Sequence, residues 1–365
     1  MLNNKTIAVV ITAYNEEKQI GKVIETIPDF VDRIVIVNDF SKDNTGNVIE
    51  KYIGKDKTKT IKIKNVYNKI EPNKYNLADI LIQQELVAEI QAFTPSEVVN
   101  KNPDDDRIIL INHKKNAGVG AVVATGYKWC KDHDIDCIVK IDGDGQMDPG
   151  EINNICKPVI EEGIDYVKGN RLLHRSAWLV IPRIRFLGNS ILSILTKIAS
   201  GYWHVSDTQT AFTAISKDAL HAIDLKKLYK SYGYPNDILV KLNIAFRTLK
   251  EVEIKPVYSI GEKSKMKIFK IILPISMMLL RSFFKRLWIK YLFRDFHPLF
   301  ILYHMALVLL LISIPYIIKI LRLVILGIDA NPTTVLAFVF LFISGFQSLL
   351  FAMWMDMQDN ERLYK

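Results

Sequence analysis

Two stretches near the carboxyl end constrain this sequence most: Leu299 to Ile318, 20 residues without a formal charge, and Thr333 to Met355, another 23. At a helical rise of about 1.5 Å per residue, each is long enough to cross the roughly 30 Å hydrocarbon core of a bilayer. Backbone groups find no water there, so each run must be helical. The short connection from Lys319 to Pro332 makes them two arms of a hairpin. One such run could be the core helix of a soluble protein; two in succession argue for membrane spans. At the other end, Met1-Leu2-Asn3-Asn4-Lys5 leads directly into a strand-like run and reads as no signal peptide.

Charge is placed as unevenly as hydrophobicity. The formal net charge is +9, and the stretch Lys263 to Arg294 alone holds nine basic residues and no acidic one. Interleaved with Ile271, Leu273, Leu279, Phe283 and Trp288, just before the first span, these cations suit an amphipathic collar on anionic headgroups. They do not suit a nucleic-acid surface, because the rest of the chain is neutral. The positive-inside rule then puts residues 1–260 on the cytoplasmic face. Cys130, Cys137 and Cys156 are odd in number and form no CxxC pair, as expected of reduced thiols. Neither His113 nor His133 has a metal-ligand partner at usable spacing.

Residues 1–260 alternate strand-like and helix-like segments. Ile7 to Thr12 ("IAVVIT"), Ile34 to Val37, 108–111 ("IILI") and Cys137 to Ile141 are short, apolar and rich in β-branched residues. Between them apolar residues recur with helical spacing, as at Ile20, Val23, Ile24 and Ile27. That rhythm predicts an α/β fold with a mostly parallel sheet. Residues 65–106 fit it less well and read as a surface insertion, with a helix from Leu77 to about Phe93. In such folds ligands sit at the carboxyl ends of the strands. Four polar breaks fall there: Tyr14-Asn15-Glu16, Asp39, Asn116-Ala117-Gly118, and Asp142 to Asp148.

The last is the most informative. "DGDGQMD" places Asp142, Asp144, Gln146 and Asp148 within seven positions after a buried strand. Like charges held close cost energy unless a cation offsets them, and hard oxygen donors suit Mg²⁺ or Mn²⁺. A solvated Asp/Gly turn is the plainer alternative on this segment alone. "NAGVGAVV" supplies G-x-G, but Val123 stands at the third glycine position, so no dinucleotide fingerprint is present.

Taken in order, "ITAYNEE" (11–17), "VNDFSKDNT" (37–45), "NAGVGAVVATGY" (116–127), "DGDGQMDP" (142–149), "KGNR" (168–171), "SDTQTAF" (206–212) and "YPNDILV" (234–240) resemble glycosyltransferase family 2. Within it they resemble the dolichyl- or polyprenyl-phosphate sugar transferases. The resemblance covers about 240 residues and implies a nucleotide-sugar fold of the type A glycosyltransferases, followed here by amphipathic helices and two transmembrane helices.

Carried over position by position, Ala13, Tyr14, Glu16 and Asp39 would hold the nucleoside, with Asp39 facing the base. Asp142, beside Gly143, would contact the nucleotide end of the donor. Asp144 and Gln146 would ligate a divalent metal, Mg²⁺ or Mn²⁺, on the donor diphosphate. Arg171 matches the family arginine near the phosphates, and Arg183 and Arg185 lie where the family presents a basic residue to the acceptor phosphate. Asp207 and Asp237 match later acidic positions of the catalytic apparatus, although the family often has glutamate at the second. Lys263 or Lys265, in "GEKSKMK", resembles a basic loop near the donor diphosphate, whose usual preceding arginine is replaced near Tyr258.

The expected organisation is a cytoplasmic transferase domain (1–260), a basic amphipathic region (261–296), a membrane hairpin (297–356) and a cytoplasmic tail (357–365). The expected partners are a nucleotide-diphosphate sugar, a dolichyl or polyprenyl phosphate and the bilayer, with no nucleic acid; a homo-oligomer is left open. Two other readings compete. A processive polysaccharide synthase usually has Q-x-x-R-W and more spans; "QSLLF" at 347–351 lacks that pattern. An inactive nucleotide-sugar-binding scaffold predicts broken metal ligands, and Asp144 and Gln146 are intact. The expected donor is a UDP- or GDP-sugar, whose sugar and base the sequence leaves open; "GNR", "SGYWHVSDTQTAF" and "YPNDILVKLNIA" resemble the UDP-sugar members more than the mannosyl enzymes.

Overall fold

The structure is a computed structural model. It describes residues 2–53, 55–56, 61–63, 72–180, 183–257 and 268–365, without the side chains of 86–88, 90, 178, 183–187, 189 and 268–271. Strand β1 (Ile7–Ala13) is followed by helix α1 (Ile20–Glu25), β2 (Arg33–Asn38) and α2 (Thr45–Ile53). Residues expected to form an insertion supply α3 (Leu77–Glu89) and a short strand β3 (Ser96–Val98). Then come β4 (Ile108–His113), α4 (Val119–Asp132), β5 (Cys137–Asp142), α5 (Ile152–Glu161) and β6 (Tyr166–Asn170). Helices α6 (Ala177–Val180) and α7 (Arg183–Ser200) precede β7 (Thr213–Ser216) and α8 (Lys217–Ala222). Helix α9 (Tyr234–Ile244) and strand β8 (Leu249–Glu253) follow.

These strands make one sheet in the order β3-β4-β2-β1-β5-β7-β6-β8. The block β4-β2-β1-β5 is parallel, β7 runs antiparallel to both neighbours, and β6 pairs parallel with β8. Every residue of β1 and β2 is buried, which is why those segments read as unbroken β-branched runs: helices cover both faces. One face packs Ala8, Val10, Ile138 and Tyr166 against α4, α8 and α9. The other packs Ile7, Val9, Ile11, Cys137, Val139 and Ile141 against α1 and α5.

Past the sheet, α10 (Ile268–Trp288) continues as a π-helical turn to Arg294 and packs on α7 and α9. Helices α11 (Pro298–Ile325) and α12 (Pro332–Glu361) pair along their length. They have mean hydropathies of 2.3 and 2.2, yet only 6% and 17% of their most apolar windows are buried. A soluble core helix would be covered, so these two are long, apolar and bare enough to cross a membrane.

The structure adds two features to the sequence reading. The insertion is partly woven into the sheet, since β3 pairs antiparallel with β4. Helix α12 also continues past 356 to Glu361, and Leu363–Lys365 dock on β8: Leu249 N donates to Leu363 O at 2.7 Å and Lys365 N to Leu249 O at 2.9 Å.

Candidate active site

The carboxyl ends of β1 and β2 carry two loops that fasten to each other. Asn15 N donates to Ser41 Oγ (3.0 Å), Glu16 N to Thr45 Oγ1 (2.8 Å) and Lys42 N to Asn15 Oδ1 (2.8 Å). Asn15 and Phe40 both hold positive φ, 57° and 60°, a conformation that costs energy in non-glycine residues and is retained where surroundings enforce it. Ala13 is buried at the strand end, while Tyr14 and Phe40 stay exposed beside it.

Asp39 is buried, and its carboxylate is well compensated. Oδ1 accepts from Ala117 N (2.9 Å) and meets His113 Nδ1 (2.8 Å); Oδ2 accepts from Gly118 N (2.9 Å). His113 Nε2 reaches Thr125 Oγ1 at 2.9 Å. Such donors offset the desolvation of a buried carboxylate. The glycines of "NAGVG" serve a close approach of backbone. A Cβ on Gly120 would lie 1.9 Å from Tyr229 O, and one on Gly118 2.5 Å from Lys230 O. Gly120 N donates to Lys230 O at 2.9 Å.

The acidic cluster is resolved acid by acid. The β1–β5 register pairs Thr12 with Asp142, and Thr12 Oγ1 donates to Asp142 Oδ1 at 2.7 Å. The same oxygen meets Lys140 Nζ, a fully buried cation. Asp144 Oδ1 accepts from Gln146 N (2.9 Å), and Asp148 Oδ1 caps Gly150 N (2.9 Å). Among the described residues no three His, Cys, Asp or Glu side chains converge as a metal cage. Asp144 and Gln146 offer side-chain oxygen donors two residues apart just after β5, and Mg²⁺ commonly takes one or two protein oxygens and completes its shell with substrate phosphates and water.

Across the cleft, register builds a second charged group. β5, β7, β6 and β8 align Lys140, Thr213, Lys168 and Glu251 in one row. Lys168 is fully buried, and its Nζ meets Thr210 O. Burial lowers its pKa to about 8, with Asp207 and Glu251 opposing the drop. Arg171 forks onto Asp207, Nε to Oδ2 at 2.8 Å and Nη2 to Oδ1 at 3.0 Å. Burial pushes the Asp207 carboxyl up, but Arg171 and then Lys168 outweigh it and hold the pKa below the ordinary value.

Asp142, Gln146, Asp148, Arg171, Gln209 and Thr210 line one polar cleft, with Asp207 directly behind Arg171. Asp237 Oδ2 accepts from Tyr229 N (2.9 Å) and pairs with Lys241, fastening the loop that packs on Gly118 and Gly120. Arg183 and Arg185 open α7, but their side chains lie outside the described ones. Lys263 and Lys265, with Tyr258, lie outside the described residues. Sequence reasoning missed Lys140, Lys168, His113 and Glu251. A lysine inside the apolar runs "CIVKID" and "YVKGN" was a readable signal, since a buried cation in a strand requires a partner.

The profile described as glycosyl transferase family 2 matches residues 8–70 and 85–224. The UDP-N-acetylglucosamine–dolichyl-phosphate N-acetylglucosaminyltransferase of Methanococcus voltae is 30% identical over 263 residues, 70% of this chain and 87% of the other. A dolichyl-phosphate beta-glucosyltransferase of Trichomonas vaginalis is 24% identical over 281 residues, 72% of this chain and 68% of that one. Among solved structures, glucosyl-3-phosphoglycerate synthase from Mycobacterium tuberculosis, in complex with Mn²⁺, UDP-glucose and phosphoglyceric acid, aligns at 17% identity. It covers 78% of this chain and 80% of its own, with a TM-score of 0.45.

Proposed function

The chain belongs to glycosyltransferase family 2, and from that premise we propose that it transfers one sugar from a UDP-sugar to the phosphate of a dolichyl or polyprenyl lipid. The observation that carries this reading is the cleft itself. An oxygen-donor cluster (Asp142, Asp144, Gln146) and an arginine fork (Arg171 on Asp207) line or adjoin one polar crevice, in a chain that continues into two membrane-length helices.

In this reading Ala13, Tyr14, Glu16 and Asp39 hold the nucleoside, and Asp39 Oδ2 keeps acceptor capacity for the base. Asp142, next to Gly143, meets the nucleotide end of the donor. Asp144 and Gln146 hold Mg²⁺ or Mn²⁺, which when bound supplies charge neutralisation to the donor diphosphate. The lipid phosphate is already an oxyanion and needs no general base. Its oxygen attacks the anomeric carbon, the bond from that carbon to the diphosphate oxygen breaks, and UDP leaves with inversion. Arg171, oriented by its fork on Asp207, stabilises the negative charge gathering on the leaving group through the charge of its guanidinium.

Arg183 and Arg185, at the start of α7, receive the acceptor phosphate, and Lys265 serves the donor diphosphate. The hairpin crosses the bilayer with the cleft on the cytoplasmic face, and α10 lies at the headgroups. The test is glycolipid formation by the detergent-purified protein with a polyprenyl phosphate and UDP-N-acetylglucosamine, UDP-glucose or GDP-mannose. A UDP-sugar should give a lipid-dependent product, lost with EDTA and reduced about 10³-fold or more by Asp144→Ala. Product that survives both treatments contradicts the metal assignment. Failure to bind nucleotide at all contradicts the reading itself.

A further inference from the structure

The carboxylate of Glu251 does not face the cleft, yet it organises a loop that does. It accepts from Ser206 N (3.2 and 3.0 Å), Ser206 Oγ (3.0 Å) and Asp207 N (3.1 Å). Those bonds fix the backbone from which Asp207 reaches Arg171. From the opposite side, Tyr364 Oη donates to Glu251 Oε2 at 3.4 Å, and its ring lies 5.4 Å from that of His204. Burial, then Glu251, pushes the Tyr364 phenol up to about 12, so it is a neutral donor at physiological pH.

Tyr364 is placed there by the segment that follows α12. Leu363 is buried in the main core cluster, and the backbone bonds to Leu249 hold the segment along β8. The same loop is touched by α12 itself, where Trp203 Nε1 donates to Asp356 Oδ2 at 3.3 Å. A continuous chain of contacts therefore runs from the end of the membrane-length hairpin through Glu251 and Asp207 to Arg171.

We propose that Glu251 and the docked segment Leu363–Lys365 are a positioning device for Arg171, so that seating of the hairpin sets the geometry of the transfer step. This rests on the reading of Arg171 as the group that stabilises the departing diphosphate. Glu251 touches neither substrate nor reacting atoms; it acts through Asp207.

The experiment is a double-mutant cycle on the full chain, measuring lipid-dependent transfer at saturating donor together with donor KM. Glu251→Gln should lower kcat about tenfold while leaving donor KM within about twofold. On an Arg171→Ala background the same change should cost nothing further, because its effect travels through that arginine. Leu363→Asp, which undocks the segment, should reproduce the loss. If Glu251→Gln does not fold, Tyr364→Phe carries the test, with about a threefold loss of kcat that vanishes on the Arg171→Ala background. Wild-type kcat in these variants, or losses that add fully to Arg171→Ala, would overturn the proposal. Absence of transfer by the wild-type protein would instead overturn the underlying reading.

Discussion

On the β1–β2 side of the cleft, the partners all come from the sheet and its loops: Asn15 with Ser41 and Glu16 with Thr45, 26 and 29 residues apart, and Asp39 with His113 and Gly118, 74 and 79 apart. On the β6–β8 side one partner comes from the segment after α12. Asp207 and Glu251 are 44 residues apart, and Glu251 and Tyr364 are 113 apart. The first side is a cradle built from the sheet and its loops; the second is also touched by α12, through Trp203 and Asp356, and by Tyr364 in the segment after it. A cradle of that kind suits a soluble nucleotide, and a dependent arm suits a reaction whose acceptor arrives from the bilayer.

The strongest way to break this contrast is at the junction. Arg286 on α10 and Asp356 on α12 form a fully buried ion pair at 2.7 and 2.8 Å, and Arg286 also donates to Ala199 O and Ile198 O on α7. Arg286→Met leaves the buried Asp356 without its paired cation, with only the Tyr291, Asn360 and Trp203 donors remaining, a loss of about 3–5 kcal/mol. Thermal unfolding in detergent should show that loss, with much of it recovered in Arg286→Met/Asp356→Leu. An unchanged melting temperature in the single variant would mean that this pair does not fasten the hairpin to α7.

A smaller effect sharpens the contrast through pH. Lys168 has a folded pKa of about 8, below the unfolded value near 10.4. Below pH 8 both states are protonated, and the folded state bears the full cost of the buried charge. Between about 8 and 10.4 the folded state releases its proton first, so this group adds stability as pH rises, at up to about 1.4 kcal/mol per unit. The stability of the wild type relative to Lys168→Met should therefore climb across that window. A flat difference would place Lys168 in a far more hydrated setting.

The two sides also differ in how much of them could be read in advance. The parallel strands announced themselves as apolar β-branched runs, because burial on both faces removes any polar alternation. The β1, β2 and β5 loops were legible because each is a short polar motif directly after its strand. The row Lys140, Thr213, Lys168, Glu251 was not, because it depends on the register of four strands, one of them antiparallel. The role of Leu363–Lys365 was equally hidden: three residues carry no periodicity, and only the folded chain brings them to β8. Asp237 carried a family role in the sequence, whereas its described contacts are to Tyr229 and Lys241.

The measurement that tests the division of labour most directly is calorimetric UDP binding set beside turnover, for Asp39→Asn and Arg171→Ala. Asp39→Asn should raise the Kd for UDP about tenfold or more, with kcat at saturating donor close to wild type. Arg171→Ala should leave that Kd within about threefold and lower kcat about 10²-fold. The opposite pattern, with UDP affinity lost in Arg171→Ala and kept in Asp39→Asn, would contradict the account.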